Sequence, residues 1–291
     1  MSDVRERLKI DLTGAGFRDD EAISVGRRLY SIGVGVVRWD HSNGLDGYAK
    51  NEVCTEDEDR RTGKMVSRLV SGRRHGKTRP LSDVRQFVVH HSGGDGPDPR
   101  QMYETLHNRG LSCHFAVEDG GQLVHGHKAM IWQMLDVSEV AWHAGKANAH
   151  SVGAECALVP DAKARPHYYD PSNLGRRQNL PHAKGRQIIQ GRERLVYMMP
   201  DPQIMALAKL VAGVWTALRL RGVTVTESPR FPRDNGDIPT GATPGAMEHR
   251  GMVGHYHLTP RKWDPAGLDL ATFEKRVAQE CRQMWSVVGG E

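Results

Sequence analysis

Histidine, lysine and aspartate are concentrated in one short stretch near the C-terminus, Gly254-His255-Tyr256-His257-Leu258-Thr259-Pro260-Arg261-Lys262-Trp263-Asp264-Pro265. Imidazole and carboxylate are donors that zinc takes, commonly three from the protein with the fourth position left to water, whose pKa then falls to about 7. Asp264 follows His255 after a turn forced by Thr259-Pro260, so one local loop can bring both onto one ion. A third donor must come from elsewhere. His90 closes the apolar run Phe87-Val88-Val89, where a buried strand presents side chains to a cleft. Spacing alone leaves rivals open. His255 and His257 are two apart, as are His125 and His127, and on a strand each pair would face one way. His91 must point away from its neighbour His90, and His107, His114, His143 and His150 are further candidates. Glu155, in the middle of the apolar run Val152–Leu158, is either an acid–base group or half of a structural ion pair.

The surrounding pattern supplies elements to hold these residues. Ala22, Val25, Leu29 and Ile32 recur at helical spacing before Gly33, and Val34–Trp39 reads as a short strand. Residues 49–82 are polar and charged, with Arg73-Arg74-His75-Gly76-Lys77 at their centre, and read as a linker or exposed arm. Asp98-Pro99 opens a helix that Gly110 ends. Ser112–Val117 is a strand, Glu118-Asp119-Gly120-Gly121 a hairpin turn, and Gln122–His125 the return strand. Asp201-Pro202 opens a second helix with an apolar stripe that runs to Gly222. Val223–Thr226 reads as a strand, residues 228–250 as loop, and Leu270–Met284 as a closing helix. Interleaved strands and helices predict an α/β fold, a central mixed β-sheet flanked by helices. It is expected over residues 81–291, with residues 1–80 as a small N-terminal appendage.

Composition narrows the function classes. The chain has 291 residues, 38% of them hydrophobic, and no apolar run of the length a membrane span needs. Its four cysteines are scattered without a C-x-x-C pair, which excludes a zinc ribbon. The formal net charge is +5. Residues 161–194 hold eight Lys/Arg against three acids, so the insertion at about 160–200 is the most basic feature of the chain. It is read as a flap for an anionic substrate, a cell-wall polymer among the anionic partners its charge allows, or as a solvated loop. No interleaving of aromatic and basic residues supports nucleic-acid binding. No apolar h-region follows Met1, so the expectation is cytoplasmic at synthesis, with any action outside the cell needing release or delivery.

Five segments together resemble one family. They are Val88-Val89-His90-His91-Ser92, Leu111–Gly120, Ala141-Trp142-His143-Ala144-Gly145, Ser151-Val152-Gly153-Ala154-Glu155, and Gly254-His255 with Lys262-Trp263-Asp264-Pro265. In this order, over roughly 180 residues, they resemble the type-2 N-acetylmuramoyl-L-alanine amidases, which share a fold with peptidoglycan-recognition proteins and amidase-type phage lysozymes. The resemblance implies Zn2+ on His90, His255 and Asp264, with Glu155 as catalytic acid–base and Lys262 beside the metal stabilising an oxyanion. It implies cleavage of the amide between N-acetylmuramic acid and the L-alanine of the stem peptide, with peptidoglycan or a muropeptide as substrate. Trp142 and His143 either line the sugar or peptide cleft or serve in packing and loop bracing. Where some relatives carry a catalytic tyrosine this chain has Cys113, and Glu155 suggests the carboxylate-using branch instead. A peptidoglycan-binding module without catalysis is the alternative on the same fold. A phage lysin, an injected toxin and a wall-recycling enzyme are all compatible with these residues.

Overall fold

The computed structural model describes residues 8–48, 51–58, 65–72, 78–93, 98–120, 129–170 and 181–289. Its centre is a six-stranded mixed sheet. The strands are β4 (Gly35–Arg38), β7 (Gln86–His91), β8 (Phe115–Val117), β9 (Ala129–Gln133), β10 (Ser151–Cys156) and β13 (Gly251–Gly254), in the order β13-β7-β10-β8-β9-β4. All neighbours are parallel except β8 and β9. Strands buried on both faces read as continuous apolar runs, as Phe87-Val88-Val89 does. Period-2 alternation still sorts their side chains. Phe87, Val89, Val152, Ala154 and Cys156 enter the main core, whereas Val88 packs on the opposite face. His90 and Glu155 fall on that opposite face, directly across from one another in register.

Helix α1 (Pro99–Asn108) begins where Asp98 accepts from the Arg100 N–H and ends before Gly110, whose φ is 65°. Its Met102 packs with Cys113, Ala116 and Trp132. Helix α2 (Asp201–Leu220) is long and apolar enough to cross a membrane by composition, but it is buried along nearly its whole length in the main core. It packs against α4 (Leu270–Val288), whose inner face is Leu270, Phe273, Val277, Cys281 and Met284.

Several sequence expectations change. The helical spacing at 22–32 is instead a hairpin, β2 (Ala22–Val25) with β3 (Arg28–Ser31), turning at Gly26-Arg27 with φ of 58° and 62°. Positive φ at both turn residues suits the strand twist, and the four-residue recurrence is a by-product of hairpin register. Residues 22–38, read from sequence as part of an appendage over 1–80, build into the main body. β4 is an edge strand of the central sheet, and Asp136 accepts from Ser24 Oγ and the Gly26 and Arg27 N–H groups. The expected arm at 49–82 contains an antiparallel pair, β5 (Asn51–Glu58) and β6 (Met65–Gly72). Val223–Thr226 pairs with no strand among the described residues; Val223 and Val225 pack on the core, and Trp215 Nε1 donates to the Thr226 carbonyl. The return strand expected at 122–125 and the basic cluster at 73–77 lie outside the described residues, and β8 pairs with β9.

Glu118, just after β8, is buried, and burial pushes its carboxyl up to about 8 despite a hydrogen bond from Trp132 Nε1. The folded state therefore keeps a proton that the unfolded chain releases near pH 4.5, so stability falls as pH rises from about 5 to 8. Glu118→Gln is expected to flatten this slope. Thermal unfolding at pH 5 and pH 8 should show the variant gaining on the wild type by about 3 kcal/mol at the higher pH.

Candidate active site

β7 and β13 end side by side, and both deliver a histidine. β7 supplies His90. β13 runs straight into the short helix α3 (His255–Leu258), which places His255 at its first position. The chain then turns back through 259–263 so that the Asp264 carbonyl accepts from the Tyr256 N–H, which fixes Asp264 over His255. Gly254 cannot carry a side chain here, since a Cβ would come within 2.7 Å of Pro265 Cδ.

Three atoms meet at the centre: His90 Nδ1, His255 Nδ1 and Asp264 Oδ2, each 3.0 Å from the other two. All three residues are buried. Burial pushes the His90 imidazole down to about 4, despite the Asp264 hydrogen bond, so it is neutral. Burial pushes the Asp264 carboxyl up, but hydrogen bonds from His255 and His90 outweigh it and hold the group well below the ordinary range. Each imidazole Nδ1 carries at most one hydrogen and the carboxylate oxygen none, so at most two hydrogens serve the three edges of this triangle. The three edges therefore cannot all be hydrogen bonds, and a cation facing three lone pairs would relieve the one left unmet. Two nitrogens and one oxygen are a donor set that suits zinc.

A second layer orients the first. His90 Nε2 lies 2.9 Å from His143 Nδ1, and His143 Nε2 lies 3.2 Å from Ser151 Oγ. Such partners fix which imidazole nitrogen is free to bind. His143 reaches His90 over Gly153, where a Cβ would stand 2.5 Å from His143 Nδ1. His257 is turned away. Its Nδ1 accepts from the Gly254 N–H and its Nε2 bonds the Pro239 carbonyl, so it braces the loop.

The triangle lies in a cleft of about 430 Å³ that Glu155, Arg109, Lys262 and His143 also line. Burial, reinforced by Asp264, pushes the Glu155 carboxyl up to about 8, with Lys262 and Arg109 pulling the other way. Its Oε2 has no hydrogen-bond partner among the described residues, so the ion-pair reading of this glutamate finds no support there. Cys113 is buried in the core beside α1, and burial and Glu155 raise its thiol well above the ordinary range.

The sequence profile described as Amidase_2, N-acetylmuramoyl-L-alanine amidase, matches residues 80–267. The chain belongs to this family. It is a peptidoglycan amidase by membership. Two solved structures are similar at low identity. The N-acetylmuramyl-L-alanine amidase AmiD from E. coli, in complex with anhydro-N-acetylmuramic acid-L-Ala-D-gamma-Glu-L-Lys, is 16% identical, covering 83% of this chain and all of its own at a TM-score of 0.30. A selenomethionine derivative of AmpD is 18% identical over 70% of this chain and 89% of its own, with a TM-score of 0.34. No curated protein matches.

In this amidase the structure brings His90, His255, Asp264, Glu155 and Lys262 to one cleft, as the sequence led us to expect. His143 lies there too, but against His90 as well as the open space. Trp142 does not line the cleft; its indole is 52% exposed and its backbone is tied to Ser112. Arg109 escaped sequence reasoning because it occupies the C-cap of α1, where Gly110 marked only a helix end.

The insertion at about 160–200 forms the hairpin β11 (Lys184–Ile189) and β12 (Arg192–Tyr197); residues 171–180 lie outside the described residues. Several of its cations are engaged inside the chain. Arg186 pairs with Glu193, Lys184 Nζ donates to the Pro166 carbonyl, and Arg194 lies 4.5 Å over the Trp263 ring.

Proposed function

We propose that this amidase is a zinc enzyme that hydrolyses the amide between N-acetylmuramic acid and L-alanine of the stem peptide. The observation that carries the reading is the buried triangle of His90, His255 and Asp264 with an unpartnered Glu155 carboxylate oxygen in the same cleft. His90, His255 and Asp264 would hold the ion, whose chemistry when bound is to polarise a carbonyl and acidify a water. Glu155 Oε2 accepts the proton of the attacking water and passes it to the leaving amine of L-alanine. Lys262 Nζ stabilises negative charge as it develops on the lactyl carbonyl oxygen, a contribution of about 3 kcal/mol for a well-placed donor. Arg109 and Lys262 give the cleft a cationic rim that suits the carboxylates of a stem peptide. His143 holds His90 in the orientation that leaves Nδ1 free. A non-catalytic binding module would need neither the open donor set nor the raised carboxyl.

The test is incubation of the purified protein with sacculi and with soluble muropeptides, with and without chelator, and mass analysis of the products. Free stem peptide is expected with zinc and not after chelation. Metal-loaded protein that releases none from either substrate would overturn the reading.

A milder change probes the second layer. Gly153→Ala puts a methyl group against His143 and forces it off His90. Zinc affinity is expected to fall about 10–100-fold, with a stability cost of about 1–3 kcal/mol. Competition with a chromophoric chelator measures the first and thermal unfolding the second.

A further inference from the structure

The tip of the β11–β12 hairpin reaches the loop that carries Lys262 and Asp264. Gln190 occupies the turn with φ of 54°, a left-handed conformation disfavoured for a residue with a Cβ, next to Gly191 at 70°. Its backbone N–H donates to the Thr240 carbonyl. The two hydrogens of its side-chain Nε2 are shared among three carbonyls of the segment 256–262, Tyr256 at 3.0 Å, Thr259 at 3.1 Å and Lys262 at 3.2 Å. Its Oε1 accepts from the Ala242 N–H, and a Cβ on Gly241 would stand only 2.8 Å from that oxygen. Both ends of one amide are therefore used to tie residues 256–262 to the 239–243 loop. Farther along the same hairpin, Gln187 bonds the Leu268 carbonyl and the Gly267 N–H, and Arg194, its cross-strand partner, covers Trp263.

We propose that the inserted hairpin is a clamp on the active-site loop and that Gln190 is a positioning residue acting through Lys262. The loop between His255 and Asp264 has no strand partner among the described residues, and Lys262 itself is solvent-exposed. The Gln190 amide replaces the missing ladder by holding carbonyls on both sides of the Thr259-Pro260 turn. This sets where the Lys262 ammonium stands over the cleft. A strained, non-glycine turn residue is explained by the same role, since a glycine there would satisfy the backbone but withdraw the amide from all three carbonyls. The proposal rests on the assignment of Lys262 to oxyanion stabilisation.

The test uses Gln190→Gly, which keeps the turn and removes the amide, and Gln190→Glu, which keeps the length but sets a carboxylate against three carbonyl oxygens. At saturating zinc, Gln190→Gly is expected to lower kcat on a soluble muropeptide on the order of tenfold, with KM within about twofold of wild type. The same substitution in a Lys262→Met background should change kcat by less than about twofold, because the residue it acts through is gone. Losses that multiply independently, or no loss in either Gln190 variant, would overturn the proposal. Hydrogen exchange separates this from failure of the amidase reading, since it needs no substrate. Amides of residues 256–262 should exchange faster in both variants while β7 and β10 keep their protection. Unchanged exchange in that loop would sink the clamp whatever the enzyme cleaves.

Discussion

Glu155→Gln is expected to lower kcat by about 10²–10⁴-fold while the protein still binds one zinc ion. The side chain lies outside the triangle of donor atoms, so its loss removes no ligand. It is half-buried in β10, opposite His90 in register, and its Oε2 has no partner to lose among the described residues. Glutamine fills the same space and presents an amide that cannot take a proton from water. Burial, which pushes the native carboxyl up to about 8, brings it close to the value at which a group both accepts and returns a proton near neutrality. KM is expected to stay within about threefold, because the group acts on the reacting water and not on ground-state binding. Metal analysis beside turnover checks the prediction. Stoichiometric loss of zinc in this variant would make Glu155 a ligand or a support for one.

The sequence carried the central sheet and the donors but little of what orients them. β7, β10 and α1 were legible because their signals are local, an apolar run that ends in histidine, a carboxylate among apolar residues, and an Asp-Pro start closed by glycine. The hairpin at 22–31 was misread because its buried residues recur at a spacing shared by a helix face and a folded-back pair of strands. Only the positive φ at Gly26-Arg27 distinguishes the two, and arginine gives no sign of it. The contact between His143 and His90 depends on Gly153 leaving room across a sheet, which no spacing rule reports. Gln190 is neutral, exposed by composition, and more than sixty residues from the carbonyls it holds, so charge counting passed over it and marked the arginines around it instead.

Asp264→Asn should abolish both turnover and the stabilisation that zinc confers. Wild type at a thousandfold excess of zinc over its dissociation constant is expected to gain about 4 kcal/mol against unfolding, a gain that thermal melts read as a rise in Tm. Asparagine keeps the size of the side chain and its carbonyl oxygen but gives up the negative charge that two imidazoles now stabilise. A neutral amide oxygen is a poor zinc donor, and the ion would be left with two nitrogens and no charge to balance it. The expected result is a Tm unaffected by zinc, with no detectable stem-peptide release. Glu155→Gln is the control, since it should lose turnover and keep the full Tm response. The contrast between the two variants assigns charge at Asp264 to holding the metal and charge at Glu155 to moving the proton. If zinc raises the Tm of Asp264→Asn as much as that of wild type, the ion binds elsewhere and the triangle of His90, His255 and Asp264 is a hydrogen-bonded structural cluster.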